Sequence, residues 1–255
     1  MSAPKTADRI ALVTGAARGL GAAIATRLAA AGHPVVLADV LEGVEDVAAR
    51  LRAAGHAARA IRLDVSDEAA VGALPEALGD WWPRLSILVN NAGISPKVEG
   101  RKRPVAEIPL EEWNRVMAVN LTGPFLLSRL CIPVMRAQGW GRIVMMTSQA
   151  AHVPSSITGA YYGTSKAGLM GFARNLAAEL GPDGITVNSV APGRINSDMV
   201  AGAAPGMNEA FLARIPLGRF GEPQDVAEVV AFLVSDAAGY LTGTTIDVGG
   251  GSYMP

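Results

Sequence analysis

Tyr162-Gly163-Thr164-Ser165-Lys166 places a phenol and an ammonium four residues apart at the start of an apolar, helix-forming run. On a helix, positions i and i+4 share one face with Cβ atoms about 5–6 Å apart, so both heads can reach the same reacting group. A tyrosine with its ordinary pKa of about 10 accepts protons poorly at neutral pH, and a nearby ammonium favours the phenolate. The pair reads as a proton-transfer group and its tuner. The same spacing also fits an ordinary surface pair, so the reading depends on what the rest of the chain brings beside it.

Short apolar runs alternate with helical stretches along the 255 residues. Ile10–Val13 reads as a buried strand feeding a glycine turn, Thr14 to Gly21, and an alanine-rich helix stopped by Gly32. Further strands are Val35–Ala38 before Asp39, Ala58–Leu63 before Asp64, and Ser86–Val89 before Asn90-Asn91-Ala92-Gly93. Arg142–Met146 precedes Thr147-Ser148, Thr186–Val190 precedes Pro192-Gly193, and Thr244–Val248 comes last. Helices are expected over Val44–Ala54, Asp67–Leu78, Leu110 towards Arg136 with a break near Gly123-Pro124, Tyr162–Leu180, and Pro223–Val234. This alternation predicts a single α/β domain over residues 1–255, a doubly wound parallel sheet of Rossmann-like type. Ligands of such sheets bind beyond the carboxyl ends of the strands, where the winding reverses, and each polar or glycine-bearing cluster named above lies at such an end.

Gly15, Gly19 and Gly21 form a T-G-x-x-x-G-x-G turn between strand and helix. Glycines there permit a sharp turn and close backbone approach, and the unpaired N–H groups of the following helix suit a pyrophosphate. Asp39 ends the second strand 24 residues after Gly15, where a carboxylate can accept from a ribose 2′-hydroxyl and repel a 2′-phosphate. NAD is thereby favoured over NADP. The alternative for Asp39 is a helix-capping carboxylate, and Arg18 is a cation that would suit a 2′-phosphate.

The glycine turn, Asn90-Asn91-Ala92-Gly93, the Ser148, Tyr162 and Lys166 set, Pro192-Gly193 and Asp247-Val248-Gly249-Gly250 occur in the order found in short-chain dehydrogenases/reductases. The chain resembles that family over nearly its whole length. The resemblance implies that Tyr162 exchanges the proton of a substrate hydroxyl, Ser148 hydrogen-bonds the carbonyl oxygen, and Lys166 lowers the phenol pKa and holds the nicotinamide ribose. Asn120 would hold a water relaying protons from Lys166. Hydride would pass directly to or from the nicotinamide, with no metal required. Gly15, Arg18, Gly19, Leu20 and Gly21 would surround the pyrophosphate, Asp64 and Val65 the adenine, and Asn91, Ala92 and Gly93 the cofactor floor. Pro192, Gly193 and Ile195 would lie along the nicotinamide amide, and residues 194–215 would form the substrate loop. A homotetramer is implied as well. Simpler roles exist for several of these residues: Ser148 as a cap, Asn120 as a buried amide tie, Tyr161 as the phenol instead. Only Tyr162 has a lysine four residues on. Two departures stand out: Ser148 and Tyr162 are fourteen apart, one more than usual, and Ser197 stands where threonine is common.

Which molecule is oxidised or reduced is less legible. Lys97-Val98-Glu99-Gly100-Arg101-Lys102-Arg103 carries four cations against one anion on a loop bordering the expected cleft. Arg194 and His152 could join Lys97 there, and a small polar secondary alcohol or ketone bearing an anion would suit them, though a merely solvated loop fits the same charges. A 3-oxoacyl thioester is the competing substrate. A noncatalytic NAD-binding scaffold has no need of a phenol, and nucleotide-sugar epimerases or dehydratases need a longer C-terminal region. The formal net charge of −1 offers no global field for nucleic acid or an anionic membrane. No apolar run reaches the ~20 residues of a bilayer span, Met1–Arg9 lacks a signal peptide's apolar segment, and a cytoplasmic location is expected. Cys131, alone of its kind, reads as core; His33 and His56 read as solvent-facing; Trp81-Trp82 reads as an apolar plug.

Overall fold

The computed structural model describes residues 6–196 and 207–254. Among these, the strands are β1 (Ile10–Thr14), β2 (Val35–Asp39), β3 (Ala58–Arg62), β4 (Leu85–Asn90), β5 (Gly141–Met146), β6 (Ile185–Pro192) and β7 (Thr245–Val248). They pair in parallel throughout, in the order β3-β2-β1-β4-β5-β6-β7. The helices are α1 (Gly19–Ala30), α2 (Val44–Ala53), α3 (Glu68–Gly72), α4 (Leu74–Leu78), α5 (Leu110–Met117), α6 (Gly123–Gln138), α7 (Ala160–Leu180), α8 (Met207–Leu212) and α9 (Pro223–Val234). The winding reverses between β1 and β4, so the expected doubly wound sheet is the one observed.

Strand alternation divides the core into two layers. Ala11 and Val13 point with Val35, Leu37, Ile87 and Val89 towards Ile24 and Leu28 of α1, Val47 of α2, and Val226 and Val230 of α9. Ile10, Leu12, Val36 and Leu88 face the other way, onto Leu127, Cys131 and Met135 of α6 and Leu169 and Leu176 of α7. Because β1, β2, β4, β5 and β6 are buried at every position, neither face offers room for polar chemistry. The glycine-bearing and candidate reactive clusters lie at the strand ends. Cys131 is fully buried and its thiol is pushed up to about 12, which keeps it a neutral core residue.

Four local features differ from the sequence expectations. The stretch expected as one helix over Asp67–Leu78 splits into α3 and α4, because Pro75 begins a second helix; Asp67 caps the first by accepting from the amides of Ala69 and Ala70. The break in the long helix falls earlier than Gly123-Pro124, at a π-helical turn over Ala118–Thr122 that carries the buried Asn120. Such single π turns often accompany functional side chains. The continuous stretch Leu110–Gln138 is long and apolar enough to match a bilayer span, contrary to the sequence count, yet its α6 residues pack on the sheet as the core of one layer. His33 is buried rather than solvent-facing: the chain re-enters the sheet two residues later, at Val35, and its Nδ1 lies 3.1 Å from the carbonyl oxygen of Arg9. Trp81 and Trp82 are half-buried against the α6 layer, with the Arg59 guanidinium 4.3 Å from the Trp81 ring centre.

Candidate active site

The reversal of winding leaves a gap above the ends of β1 and β4, and Thr14 closes its base. Thr14 Oγ1 accepts from the amides of Asn91 and Ala92, both at 3.0 Å, while Asn91 Nδ2 donates to the carbonyls of Thr14 (2.8 Å) and Gly15 (3.1 Å). The glycine turn is packed onto this base. Gly15 takes φ +66°, and a Cβ on it would come 2.9 Å from Ala92 Cα; a Cβ on Gly21 would collide with the carbonyl of Gly15. The first turn of α1 begins at Arg18 and Gly19 with no side chain capping its N–H groups, and Arg18, Gly19 and Leu20 are at least partly exposed there. An uncapped helix start behind a glycine turn fits a pyrophosphate.

Asp39, at the end of β2, is 9 % exposed. Its Oδ2 accepts from Ala17 N at 2.9 Å and its Oδ1 from Leu41 N at 3.0 Å. The carboxylate therefore braces the glycine turn while setting a negative charge beside it. Asp64 is exposed and folds onto Ser66, whose amide and hydroxyl donate to Oδ1 at 2.9 and 2.6 Å. Val65 is buried, and a Cβ on Gly123 at the start of α6 would come 2.9 Å from it. Pro192 ends β6; Gly193 N donates to Val248 O at 2.9 Å, and Ile195 pairs with Gly221.

β5 and α7 bring the reactive groups together. Ser148, extended at φ −168°, follows β5, and its hydroxyl acts on the Tyr162 phenol in the first turns of α7, favouring the phenolate. Lys166 Nζ, one helical turn on, lies 5.7 Å from the Tyr162 ring centre and donates to Met146 O, at the end of β5, at 2.7 Å. Burial pushes the lysine down to about 8. Burial also raises the Tyr162 phenol, with the Ser148 hydrogen bond opposing. The expected depression of the phenol by Lys166 is not observed: desolvation, which disfavours the phenolate, dominates, and the opposing group is Ser148. Tyr161 is not a rival: it is fully buried, and its hydroxyl donates to Pro96 O at 2.8 Å.

Asn120 joins these parts. Its Oδ1 accepts from Ile94 N at 2.8 Å, and its Nδ2 donates to Ile94 O at 3.0 Å and Ser165 Oγ at 3.1 Å. The amide ties the chain after β4 to α7. A Cβ on Gly93 would come 3.3 Å from Lys166 Nζ and 3.4 Å from Asn120 Oδ1, so the backbone at Gly93 lies against both.

The candidate substrate residues divide. Lys97 adjoins Pro96, the residue holding Tyr161, and is partly exposed. Lys102 donates to Ser155 O at 2.7 Å and Arg103 pairs with Glu112 at 3.3 Å, so much of the loop's charge is engaged in holding the loop down. Arg194 is 8 % exposed, with its guanidinium 4.9 Å from the Phe211 ring centre and 6.0 Å from that of Phe220. His152 stacks on Tyr253 beside Asp247. Ser197 and the middle of the 194–215 substrate loop lie outside the described residues. The hub role of Thr14 and the contacts of Gln149 had no sequence signal beyond their places at the end of β1 and after β5.

A family model described as enoyl-(acyl carrier protein) reductase matches residues 15–253. Cis-4-hydroxycyclohexanecarboxylate dehydrogenase of Sinomonas cyclohexanicum is 41 % identical over 96 % of each chain. The 3-oxoacyl-[acyl-carrier-protein] reductase of Aquifex aeolicus (strain VF5) is 38 % identical over 98 % of this chain and 99 % of its own. Among solved structures, a 3-oxoacyl-[acyl-carrier protein] reductase with bound NAD from Brucella melitensis superposes with a TM-score of 0.90 at 39 % identity, covering 97 % of this chain and 92 % of that one. A putative gluconate dehydrogenase from Agrobacterium tumefaciens also gives 0.90, at 33 % identity, covering 96 % and 95 %. With a matching fold, glycine turn and Ser148, Tyr162 and Lys166 assembly, the chain belongs to the short-chain dehydrogenase/reductase family of oxidoreductases.

Proposed function

We propose that this protein is an NAD-dependent dehydrogenase/reductase that interconverts a small polar secondary alcohol, bearing a carboxylate, and its ketone. The observation that carries the reaction type is the half-buried Tyr162, its phenol acted on by Ser148 and with Lys166 one turn behind it. In this reading Tyr162 exchanges the proton of the substrate hydroxyl, Ser148 binds the carbonyl oxygen, and Lys166 returns the proton to solvent past Asn120. The nicotinamide supplies the hydride chemistry when bound. The raised phenol matches proton donation to a carbonyl, and the lysine at about 8 can give up and regain its proton near neutral pH. A cytoplasmic enzyme with no nucleic-acid or membrane partner is part of the same proposal.

Support for a carboxylate comes from two relatives, named for a hydroxycyclohexanecarboxylate and for gluconate, and from Lys97 beside the Tyr161 anchor. Among the described residues Lys97 has no ion-pair partner. Its removal is a cleaner test than that of Arg194, whose contacts with two rings combine packing and charge. The 3-oxoacyl thioester reading is favoured by the relatives named as 3-oxoacyl-[acyl-carrier-protein] reductases. For NAD the support is the Asp39 carboxylate and the NAD bound in one neighbour. A homotetramer also belongs to the proposal: Leu110 of α5 and Phe125 of α6 are exposed on elements adjoining α7.

A panel of secondary alcohols arranged by charge, followed at 340 nm with NAD and with NADP, tests the substrate and cofactor together. NADH formation is expected with hydroxycarboxylates, and Lys97→Ala should raise their KM about tenfold while leaving neutral analogues little changed. Equal effects on both classes, or faster reduction of a 3-oxoacyl thioester with NADPH, would contradict it. Asp39→Ala should narrow the preference for NAD over NADP by removing repulsion of the 2′-phosphate; unchanged selectivity would leave Asp39 only its bracing of the turn. Light scattering should return a tetramer's mass, and a monomer at micromolar concentration would exclude that assembly.

A further inference from the structure

The turn that follows Ser148 is held from both sides by groups with no part in the proposed chemistry. Ser148 caps the single 3-10 turn Gln149–Ala151, its hydroxyl accepting from Ala150 N at 3.1 Å. On one side lies α7: a Cβ on Gly163 would come 2.9 Å from Ala150 O, so helix and turn meet with no space between them. The other side is formed by the chain after β7. The Gln149 amide is wedged between the backbones of Gly193 and Gly249, where a Cβ on Gly193 would come 2.7 Å from Oε1 and one on Gly249 would collide with Nε2. Ser252 Oγ lies 2.9 Å from Gln149 Oε1 and 2.7 Å from Gly249 O.

One residue past the turn, a second contact forms. His152 Nε2 lies 3.5 Å from Asp247 Oδ1, an ion-pair distance with no hydrogen bond at either atom, and both side chains are mostly buried. The imidazole stacks on Tyr253 with ring centres 4.7 Å apart and planes 19° from parallel. Burial raises the Asp247 carboxyl, and His152 opposes that rise. Gln149 Nε2 has no hydrogen-bond partner although it is buried. Leaving such a donor unmade costs about 1–3 kcal/mol, so a purely stabilising role would be better served by an apolar side chain of similar size.

We propose that Gln149 and His152 are positioning residues for Ser148: with Asp247, Ser252 and Tyr253 they clamp the turn against α7 and fix the direction of the hydroxyl that meets Tyr162. The proposal rests on the reading of Ser148 as the hydroxyl that binds the substrate oxygen. Its physical basis is the steep dependence of rate on the placement of reacting groups, where an error of about 1 Å can cost a hundredfold.

The test uses the full chain and the variants His152→Ala, His152→Gln and Gln149→Leu. Hydrogen exchange needs no substrate: amides at 148–153 and 249–253 should exchange faster in His152→Ala, while those inside β5 stay protected. With an oxidisable alcohol from the panel, kcat should fall roughly tenfold in His152→Ala with NADH affinity, read by fluorescence, changed less than about twofold. His152→Gln, whose amide can reach Asp247, should recover most of the lost kcat, which general destabilisation of the fold would not explain. Gln149→Leu, which keeps the volume and loses the polar wedge, should lower kcat in the same way and serves if the alanine variant is poorly folded. Unchanged exchange at 148–153 would overturn the clamp even if no alcohol were turned over. Faster exchange with kcat within about twofold of the parent, or equal losses in the alanine and glutamine variants, would overturn the link to Ser148.

Discussion

The burial of the Lys166 ammonium is the constraint on which the site depends. The residue is 3 % exposed, and its observed hydrogen bond goes to the carbonyl at the end of β5. A buried ammonium without enough compensation loses its proton more easily, and here it is pushed down to about 8. That contact ties α7 to the end of β5 between Tyr162 and Ser148. The backbone at Gly93, just after β4, lies against the same nitrogen, so the ends of β4 and β5 meet at one cationic group.

The sheet explains why the convergence occurs there. Strands buried on both faces leave no solvent-facing positions, and the clustered glycines and polar groups lie where each strand gives way to a loop. Thr14 and Asn91 then lock the two strands at the reversal of winding through four hydrogen bonds. The π turn at Asn120 is a further adjustment. It lets one side chain reach Ile94 on one side and Ser165 on the other without ending the helix that covers the sheet.

Much of this was legible in the residues. The strand ends, the parallel sheet and the approach of Lys166 to Tyr162 rather than Tyr161 follow from apolar runs, glycine placement and a lysine at helical spacing. Local detail was not. The π turn has no residue signature, since helix-breaking residues mark Gly123-Pro124 while the distortion is set by tertiary bonds to Asn120. His33 follows a glycine and looks exposed, but the backbone of Arg9 passes over it, and only the three-dimensional path reveals that. The expectation that Lys166 would depress the phenol omitted desolvation, which raises it. The loop cations were counted as free charge, whereas Lys102 and Arg103 hold the loop to Ser155 and Glu112.

The central claim is that Tyr162 moves the substrate proton and does little else. The most direct measurement compares turnover and NADH affinity in Tyr162→Phe and the parent protein, because phenylalanine keeps the ring and removes only the ionisable hydroxyl. Turnover is expected to fall by about 10²–10⁴-fold, with NADH affinity changed by no more than about threefold. A variant that keeps several per cent of the parent rate, or loses its cofactor in proportion to its activity, would contradict the account.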